Sequence, residues 1–412
     1  MTTQQAHVIV GASLAGAKAA ETLRAEGFGG PVVVIGDERD RPYERPPLSK
    51  DYLLGKAERD TIFVHPENWY AENNVDLRLG VAATGIDPDR HEVSLEDGSR
   101  VGYGKLLLAT GSTPRRIPVP GADLDGVLYL RRVGDSDRLK AAFRPGARIV
   151  VIGGGWIGLE AAAAARAAGA EVTVLEVADL PLLRVLGRKV AQVFADLHAA
   201  NGVDLRGGVQ VAEITGSDGK ATGVRLGDGS QIPADAVIVG VGITPNIQLA
   251  AAAGLKTDNG IVVSAKLQTS DPDIFAAGDV ANAFHPTLGK HVRVEHWANA
   301  LNQPQTAAKA MLGQDVAYDL IPYFYTDQYD LGMEYSGYVE PGTEADVVFR
   351  GDVAGREFIA FWLGQDGRVL AGMNVNVWDV NDAIQALVRA GNPVGASALS
   401  DPGTPLESLA GH

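Results

Sequence analysis

Two glycine-rich turns constrain the fold of this chain most strongly, because each stands between a short apolar run and a stretch of small residues. The first turn follows the run His7–Val10, and the second follows the run Arg148–Ile152. A second strand-like run comes after each stretch of small residues, at PVVVI and at EVTVL. Strand, turn, helix and strand in this order are typical of a βαβ unit in a parallel sheet. The sequence therefore predicts an α/β fold that contains two such units.

The first turn reads GASLAG, and its glycine spacing indicates a dinucleotide-binding loop. In a G-x-G-x-x-G turn the first glycine makes the bend, the second lets backbone approach a pyrophosphate, and the third lets helix and strand pack closely. Gly11 and Gly16 supply the first and third glycines, and Ser13 is small enough to keep the middle approach open. Asp37 follows the next strand, where a carboxylate can accept hydrogen bonds from ribose hydroxyls.

The second turn, GGGWIG, matches the pattern in full with Gly153, Gly155 and Gly158. Glu176 ends the strand that follows. A carboxylate there repels a 2′-phosphate, and no arginine immediately follows it, so the sequence predicts NADH rather than NADPH. With two complete units in one chain, we expect two bound dinucleotides.

Composition excludes several kinds of chemistry. The chain has no cysteine, which excludes disulfides, thiolate nucleophiles and cysteine-held metal clusters. Its 36 basic and 51 acidic residues give a net charge of −15, which disfavours broad binding to nucleic acid or anionic membrane. The histidines do not stand at metal-ligand spacing, so no metal site is expected.

The N-terminal sequence and the apolar runs predict a cytoplasmic protein. No positively charged segment precedes the first apolar run, and no run approaches the ~18 apolar residues of a membrane span. From Asp319 onward the chain becomes aromatic and rich in strand-forming residues, and it carries 14 acidic and 4 basic residues. Its last 22 residues are rich in Pro, Gly and Ser, and are expected to lie loosely on the surface.

Several longer stretches resemble the FAD-dependent pyridine nucleotide–disulfide oxidoreductase superfamily. Within it, the chain is similar to the ferredoxin reductases of oxygenase systems, the putidaredoxin reductase and aromatic-ring dioxygenase type. The matching stretches run through most of the chain: VGASLAG, YERPPLSKDYL, LLLATGSTPR, YLR, VVIGGGWIGLEAA, GVGITPN, LQTSDPDIFAAGDVA, VEHWANA and YFYTDQYDLG.

The resemblance implies a glutathione reductase-like fold of two Rossmann-like dinucleotide-binding domains plus a C-terminal α+β domain. It implies a discontinuous FAD domain at 1–115 and 245–318, an NADH domain at 116–244 and a C-terminal domain at 319–412.

The same resemblance implies two sets of contact residues. Non-covalent FAD would contact Gly11, Ser13, Ala15, Gly16, Asp37, Lys50, Ala83, Thr110, Gly111, Arg131, Asp279 and Trp297. The nicotinamide dinucleotide would contact Gly153, Gly155, Ile157, Gly158, Glu160, Glu176 and Gly242. Asp279 follows a strand and could accept hydrogen bonds from the ribityl chain, although an aspartate there could also cap a helix. Trp297 could lie at the flavin edge or in an ordinary core.

Lys50 and Glu160 are the catalytic candidates that the resemblance implies. Lys50 follows a stiff Pro-Pro-Leu-Ser segment, which could hold its ammonium near the flavin, although most lysines are simply solvated. Glu160 would meet the nicotinamide amide and pair with Lys50. Alternatively, an acid placed in the first turn of its helix could serve only the helix dipole.

The implied reaction is hydride transfer from NADH to FAD, followed by single-electron transfer to a [2Fe–2S] ferredoxin that feeds a cytochrome P450 or a Rieske-type oxygenase. Because the chain has no cysteine, it lacks the redox thiol that disulfide reductases of the superfamily need.

A rubredoxin reductase or an NADH oxidase would share every motif. A nucleotide-sensing interaction protein like apoptosis-inducing factor is the alternative from another class.

Charge predicts where an acidic ferredoxin would dock. The region from Asp319 onward has a net charge of −10 and would repel such a carrier. Docking is therefore expected on basic residues of the nucleotide-binding parts, with the aromatic Tyr325 as an apolar contact or electron path. The candidate basic residues are Arg39, Arg45, Lys56, Arg115 and Arg116. They could equally be solvated side chains, and Tyr325 could be core.

Overall fold

The computed structural model describes residues 5–411. In chain order its strands are β1 His7–Val10, β2 Val32–Gly36, β3 Val75–Leu79, β4 Ala83–Asp87, β5 Glu92–Leu95, β6 Arg100–Gly102, β7 Lys105–Leu108, β8 Ser112–Pro114, β9 Val127–Leu128, β10 Arg148–Ile152, β11 Glu171–Leu175, β12 Asp204–Arg206, β13 Val211–Ser217, β14 Lys220–Leu226, β15 Gln231–Pro233, β16 Ala236–Val239, β17 Ile243–Pro245, β18 Ile261–Val263, β19 Ile274–Ala276, β20 Ala281–His285, β21 Lys290–Val292, β22 Tyr323–Gln328, β23 Leu331–Gly337, β24 Asp346–Asp352, β25 Glu357–Leu363 and β26 Val369–Val375.

The α-helices are α1 Leu14–Ala25, α2 Trp69–Glu72, α3 Val133–Ala142, α4 Trp156–Ala167, α5 Leu183–Leu186, α6 Arg188–Ala200, α7 Gln248–Ala252, α8 Trp297–Met311, α9 Asn381–Ala390, α10 Ala396–Ser400 and α11 Leu406–Leu409. Two short 3₁₀ helices lie at Pro46–Ser49 and Arg59–Ile62. Within residues 5–411, no helix has the combination of length and apolar character that crossing a membrane requires.

The chain divides into two compact units. Unit 1 comprises the described parts of Met1–Glu44, with Arg59–Thr113 and Thr244–Pro322. Unit 2 comprises Arg45–Glu58, Pro114–Ile243 and the described part of Tyr323–His412. Each dinucleotide-binding turn therefore belongs to a different unit.

Unit 1 is built around a five-stranded sheet in the order β19-β7-β1-β2-β3. All four pairings are parallel, and β1 lies between β2 and β7 with Val8 opposite Val33 and Leu106. The residues of β1 and β2 are all buried, as expected of strands that are covered on both faces. Helices α1 and α8 pack against each other beside this sheet. The carboxyl end of β1 thus leads directly into the first glycine turn.

Unit 2 contains a parallel sheet of its own and an antiparallel sheet from the C-terminal part of the chain. The parallel sheet has the order β12-β11-β10-β16-β9. The antiparallel sheet has the order β22-β23-β26-β25-β24. One continuous hydrophobic core joins the two, and the Trp362 indole donates to the carbonyl oxygen of Leu186 at 3.2 Å. The C-terminal sheet is therefore packed against the nucleotide-binding part of the same unit.

The α/β prediction is confirmed, with two Rossmann-like parallel sheets and a separate C-terminal sheet. Several strand bounds are confirmed to the residue, among them those of β10 and β11. The helix after the second glycine turn, α4, begins at Trp156. Glu160 therefore lies in the second turn of α4, so the prediction that it occupies the first turn is wrong.

The expectation of a loose C-terminal segment is wrong. In the described part of this segment, up to residue 411, Ala396–Ser400 form α10 and Leu406–Leu409 form α11, and Leu399 and Leu406 are buried. The Arg350 guanidinium donates to the carbonyl oxygens of Asp401 at 2.7 Å and Thr404 at 2.9 Å. Arg350 therefore fixes a Pro- and Gly-rich segment by donating to its backbone carbonyl oxygens, whereas composition alone predicts that the segment is loose.

Candidate functional site

The three motif glycines of the second turn, Gly153, Gly155 and Gly158, serve different purposes. Gly153 has φ +105°, and a Cβ there would lie 2.4 Å from the Gly240 carbonyl oxygen. A Cβ at Gly158 would lie 2.1 Å from the Gly153 carbonyl oxygen. Both positions exclude a side chain because backbone approaches them closely, as the motif requires for the bend and for helix packing.

Gly155 is not required by the protein itself. Its φ of −82° and ψ of 179° suit any residue, and a Cβ there would have no atom nearer than the Gly240 carbonyl oxygen at 3.9 Å. Gly155 is the N-cap of α4, no described side chain caps that helix, and no acid lies in its first turn. The helix N-terminus is thus left with unsatisfied N–H groups and its positive dipole, which suit an anion.

A cavity of about 450 Å³ opens beside this helix terminus, entirely within unit 2. It is lined by four of the predicted dinucleotide contacts: Gly153, Gly155, Glu176 and Gly242. Ile157, Gly158 and Glu160 do not line it. The apolar wall formed by Ile117, Val119, Val185, Val209 and Val211 could not be read from the sequence, since these residues belong to three separate segments.

Glu176 lies where the second βαβ unit places it, at the end of β11. Its carboxylate accepts the Gly154 N–H at 2.7 Å and the Ala178 N–H at 2.9 Å, which fixes its position in the cavity wall. Arg184, from α5, lines the same cavity. Arg184 stands eight residues after Glu176, so the absence of an arginine immediately after Glu176 gave no sign of it.

A buried carboxylate lies further along α4. Glu160 is 4% exposed and accepts three side-chain hydrogen bonds. Its Oε1 atom accepts from Lys50 Nζ at 2.7 Å and from Thr326 Oγ1 at 2.6 Å. Its Oε2 atom accepts from Ser49 Oγ at 2.5 Å. The structure thus contains the Lys50–Glu160 ion pair that the resemblance implies, and adds two hydroxyl donors that the sequence analysis missed.

The ammonium of Lys50 is only partly exposed, at 15% of its side chain. It lies 5.4 Å from the centre of the Tyr325 ring, within the range of a cation–π contact. Burial raises the pKa of the nearby Asp327 carboxyl, and the Lys50 charge opposes that shift. Lys50 is therefore held by Glu160 and an aromatic face, so the alternative of a simply solvated lysine is wrong.

The first turn, in unit 1, repeats the geometry of the second. Gly11 has φ +122°, and a Cβ there would lie 2.1 Å from the Ala109 carbonyl oxygen. A Cβ at Gly16 would lie 2.0 Å from the Gly11 carbonyl oxygen. Ala15 is buried in the first turn of α1, and Asp37 is exposed directly after β2. These four positions therefore keep the layout that the motif predicts.

Other predicted FAD contacts of unit 1 lie near its parallel sheet. The Thr110 hydroxyl donates to the Asn246 carbonyl oxygen at 2.8 Å, and the Asn246 amide donates back to the Thr110 carbonyl oxygen at 2.8 Å. Gly111, with φ +62°, follows in the same turn. Ala83 is the half-buried first residue of β4.

Asp279 precedes the strand β20, and Trp297 begins the helix α8. Asp279 is followed by the strand β20, so the alternative that it caps a helix is wrong. Trp297 is half-buried and is the first residue of α8. Burial lowers the pKa of the neighbouring His296 to about 4, although the Asp279 charge opposes that shift. His296 is therefore neutral at pH 7.

Arg131, the remaining predicted FAD contact, lies in unit 2 between β9 and α3. Its backbone N–H donates to the Asp135 carboxylate at 3.0 Å, and its carbonyl oxygen accepts from the Arg45 guanidinium. Arg131 is half-buried.

The turn of unit 1 fits the pyrophosphate of FAD. Ser13 occupies the N-cap of α1 without a side-chain capping hydrogen bond, and the first turn of α1 holds no acidic residue. Its N–H groups and dipole are therefore left for an anion. Gly278, with φ +81°, lies beside Ala15, and a Cβ there would make an ordinary van der Waals contact with the Ala15 side chain at 3.5 Å. Small residues thus keep space open around this helix terminus.

Comparison with known families and proteins gives one consistent result. The pyridine nucleotide-disulphide oxidoreductase family matches residues 5–304, and the reductase C-terminal domain family matches residues 323–410. The chain is 42% identical over 405 residues to the ferredoxin–NAD(+) reductase component of the anthranilate 1,2-dioxygenase system of Burkholderia cepacia, covering 98% of both chains. It is 39% identical over 407 residues to putidaredoxin reductase of Pseudomonas putida, covering 98% of this chain and 96% of that one.

A solved structure agrees with these sequence matches. The reductase of the covalent putidaredoxin reductase–putidaredoxin complex superposes with a TM-score of 0.95 at 38% identity, covering 99% of this chain and 98% of the other.

Proposed function

The chain belongs to the pyridine nucleotide-disulphide oxidoreductase family, and within that family we propose that it is an NADH:ferredoxin reductase of an oxygenase system. FAD, when bound, supplies the ability to accept two electrons as a hydride and to release them one at a time. The proposed electron acceptor is a [2Fe–2S] ferredoxin that feeds a cytochrome P450 or a Rieske-type oxygenase. A cytoplasmic location is part of the proposal, because the reaction consumes the NADH of the cytoplasm.

One observation carries the proposal: helix α4 connects the dinucleotide cavity to the Lys50–Glu160 pair. Gly155 at the helix N-cap lines the cavity, and Glu160 lies five residues later, about 7.5 Å along the helix axis. A nicotinamide dinucleotide that binds its pyrophosphate at the N-terminus of α4 therefore has a buried charged pair within reach of its other end. Since the chain has no cysteine, no thiol of its own can take the electrons.

Each unit has a proposed role in binding. We assign FAD to unit 1 and NADH to the cavity of unit 2, and we retain Lys50 and Arg131 among the proposed FAD contacts. We retain the proposed domain limits of 1–115 with 245–318, 116–244 and 319–412. Lys50 and Glu160 are proposed as the catalytic pair: Glu160 orients the nicotinamide amide, and Lys50 supplies a positive charge where negative charge develops.

Anaerobic rapid mixing tests the proposal. NADH should bleach the flavin absorbance of the holoenzyme within milliseconds to seconds, and a [2Fe–2S] ferredoxin should restore it at a comparable rate. Faster recovery with rubredoxin or with O₂ than with ferredoxin would favour a rubredoxin reductase or an NADH oxidase. A long-lived NADH complex that no acceptor oxidises would favour the nucleotide-sensing alternative.

Glu176 is expected to set the preference for NADH. Because its fixed carboxylate repels a 2′-phosphate, kcat/KM should be much higher for NADH than for NADPH. Glu176→Ala should lower kcat/KM for NADH and raise it for NADPH, each by about tenfold. Steady-state kinetics with both coenzymes checks this, and Glu171→Ala, at the exposed start of the same strand, is the control. An unchanged ratio in Glu176→Ala would contradict the assignment.

Ferredoxin docking is proposed on the basic residues Arg39, Arg45, Lys56, Arg115 and Arg116, with Tyr325. Arg39 and Lys56 are exposed, whereas the Arg45 guanidinium already donates to the Arg131 carbonyl oxygen. The Arg115 guanidinium donates to the Ile243 carbonyl oxygen at 3.0 Å. Support comes from charge, because the region from Asp319 onward carries −10 and would repel an acidic carrier.

Charge reversal tests this docking surface. Arg116 pairs with Asp123 at 3.2 Å but remains 70% exposed, so its charge is still accessible to a partner. The double variant R115E/R116E should raise the ferredoxin KM about tenfold at low salt and flatten its dependence on ionic strength. Arg368→Glu is the control, because Arg368 also pairs with an aspartate and is 58% exposed, but belongs to the acidic C-terminal region. Wild-type KM values in R115E/R116E would remove this surface from the proposal.

A further inference from the structure

A chain of buried side chains leads away from the Glu160 carboxylate. We call Thr326, Gln328, His198 and Tyr329 the Glu160 chain. Thr326 Oγ1 is 2.6 Å from Glu160, Gln328 Nε2 is 3.2 Å from Thr326 Oγ1, and His198 Nε2 is 2.8 Å from Gln328 Oε1. The Tyr329 hydroxyl is 3.4 Å from His198 Nδ1. The first three members are no more than 1% exposed, so water does not compete for these contacts.

The donors of this chain all point towards Glu160. A hydroxyl has one hydrogen, and Thr326 uses it on the carboxylate, so its oxygen accepts from the Gln328 amide. The amide oxygen of Gln328 then faces His198, and because that oxygen can only accept, His198 must carry its hydrogen on Nε2. Nδ1 is left as an acceptor for the Tyr329 hydroxyl. Hydrogen bonds aligned in one direction strengthen one another, which favours a negative charge at the end of the chain.

His198 is suited to a fixed, neutral role. It is fully buried on α6, and burial lowers its pKa. The hydrogen bond with Gln328 raises the pKa but offsets only part of this shift. Burial also raises the pKa of Tyr329, so this hydroxyl remains a donor. The Glu160 chain therefore keeps a single arrangement of hydrogen-bond donors at neutral pH.

The members of the Glu160 chain come from two parts of unit 2. Thr326 and Gln328 belong to β22 of the C-terminal sheet, whereas Glu160 and His198 belong to α4 and α6 of the nucleotide-binding part. We propose that Thr326 is a positioning residue for the reaction with NADH: the C-terminal sheet, through Thr326 and its partners Gln328 and His198, orients the Glu160 carboxylate for the nicotinamide amide. This inference rests on the proposed function of Glu160.

The C-terminal sheet provides a matched control for simple loss of a buried hydroxyl. Ser336, on β23, is fully buried, donates to Asn381 Oδ1 at 2.6 Å and accepts from Gln385 Nε2 at 3.2 Å. It therefore makes the same number of side-chain hydrogen bonds as Thr326, but none with Glu160. Thr326→Val and Ser336→Ala should lower the melting temperature alike, and only the first should affect coenzyme binding.

The experiment measures NAD⁺ affinity by calorimetry and NADH kinetics on the holoenzyme. Thr326→Val should weaken NAD⁺ binding and raise the NADH KM, each by about tenfold, with kcat changed less than about threefold. Thr326→Ser, which keeps the hydroxyl, and Ser336→Ala should stay within about twofold of wild type. Wild-type affinity in Thr326→Val, or equal losses in Thr326→Val and Thr326→Ser, would overturn the proposal.

The protonation of His198 is a second test, and it does not depend on catalysis. Nitrogen-15 spectra of the histidine-labelled wild-type holoenzyme should show His198 with hydrogen on Nε2 and none on Nδ1, and a hydrogen on Nδ1 would overturn the proposed direction of the chain. If the wild-type enzyme fails to reduce ferredoxin while Thr326→Val still weakens NAD⁺ binding, the proposed function fails and the positioning role stands.

Discussion

Replacing Glu160 by glutamine should slow reduction of the flavin by NADH about 100-fold, which corresponds to about 2.7 kcal/mol of activation free energy. Three donors converge on the buried carboxylate, and hydrogen bonds to a charged group are each worth about 1.5–3 kcal/mol. A glutamine amide is neutral, and its NH₂ group would face at least one of those donors. Lys50 would then keep its charge without a charged partner in a site where its side chain is only 15% exposed.

Stopped-flow absorbance after mixing with NADH measures this effect, and Glu171→Gln is the control because Glu171 is exposed at the start of β11. Loss of a buried partner also costs about 3–5 kcal/mol of folding stability, so melting curves must accompany the kinetics. Lys50→Met should slow the reaction similarly, and the double variant should be little slower than either single variant, because the pair acts as one unit. A wild-type rate in Glu160→Gln would remove Glu160 from the reaction.

Replacing Gly155 by valine should weaken NADH binding more than about 100-fold while the protein still folds. The backbone at Gly155 is extended, and a Cβ there would lie 3.9 Å from its nearest neighbour, the Gly240 carbonyl oxygen. The protein should therefore tolerate a side chain at this position. A bound pyrophosphate should not tolerate this side chain, because it approaches the backbone at the middle position of the turn.

Gly158→Val is the matched comparison, since a Cβ there would lie 2.1 Å from the Gly153 carbonyl oxygen. Overpacking of that kind should cost about 3 kcal/mol or more of folding stability. Calorimetry with NAD⁺ and thermal unfolding distinguish the two effects, and flavin content should stay at the wild-type level in Gly155→Val because the first turn lies in unit 1. Tight NAD⁺ binding by Gly155→Val would mean that the coenzyme does not use this turn.

The elements that the sequence predicts best are those with the simplest local cause. Strands β10 and β11 are runs rich in β-branched residues that end at a glycine turn or an acid, and their bounds are confirmed. The start of α4 is less obvious, because Trp156 and Ile157 extend the helix into the glycine turn. The prediction of a loose C-terminal segment is wrong for a nonlocal reason. Arg350 donates to the carbonyl oxygen of Asp401, which is more than 50 residues away in the sequence.

The candidate site shows the same division between local and distant causes. Turn glycines and the acids after each second strand are readable from spacing alone. Ser49 and Thr326 are not, because they meet Glu160 across separations of 111 and 166 residues. Only packing in the folded protein brings their hydroxyls to the carboxylate: the 3₁₀ helix Pro46–Ser49 packs on α4 with Ser49, and the C-terminal sheet packs on α4 with Thr326.

The central claim is that the enzyme divides the two electrons of NADH between two one-electron carriers. Anaerobic titration of a [2Fe–2S] ferredoxin with NADH and a catalytic amount of the enzyme measures this directly. Two ferredoxins should be reduced for each NADH oxidised, and Gly155→Val should abolish the reaction. NADH consumption that leaves ferredoxin oxidised, and that proceeds only when O₂ is admitted, would contradict the claim.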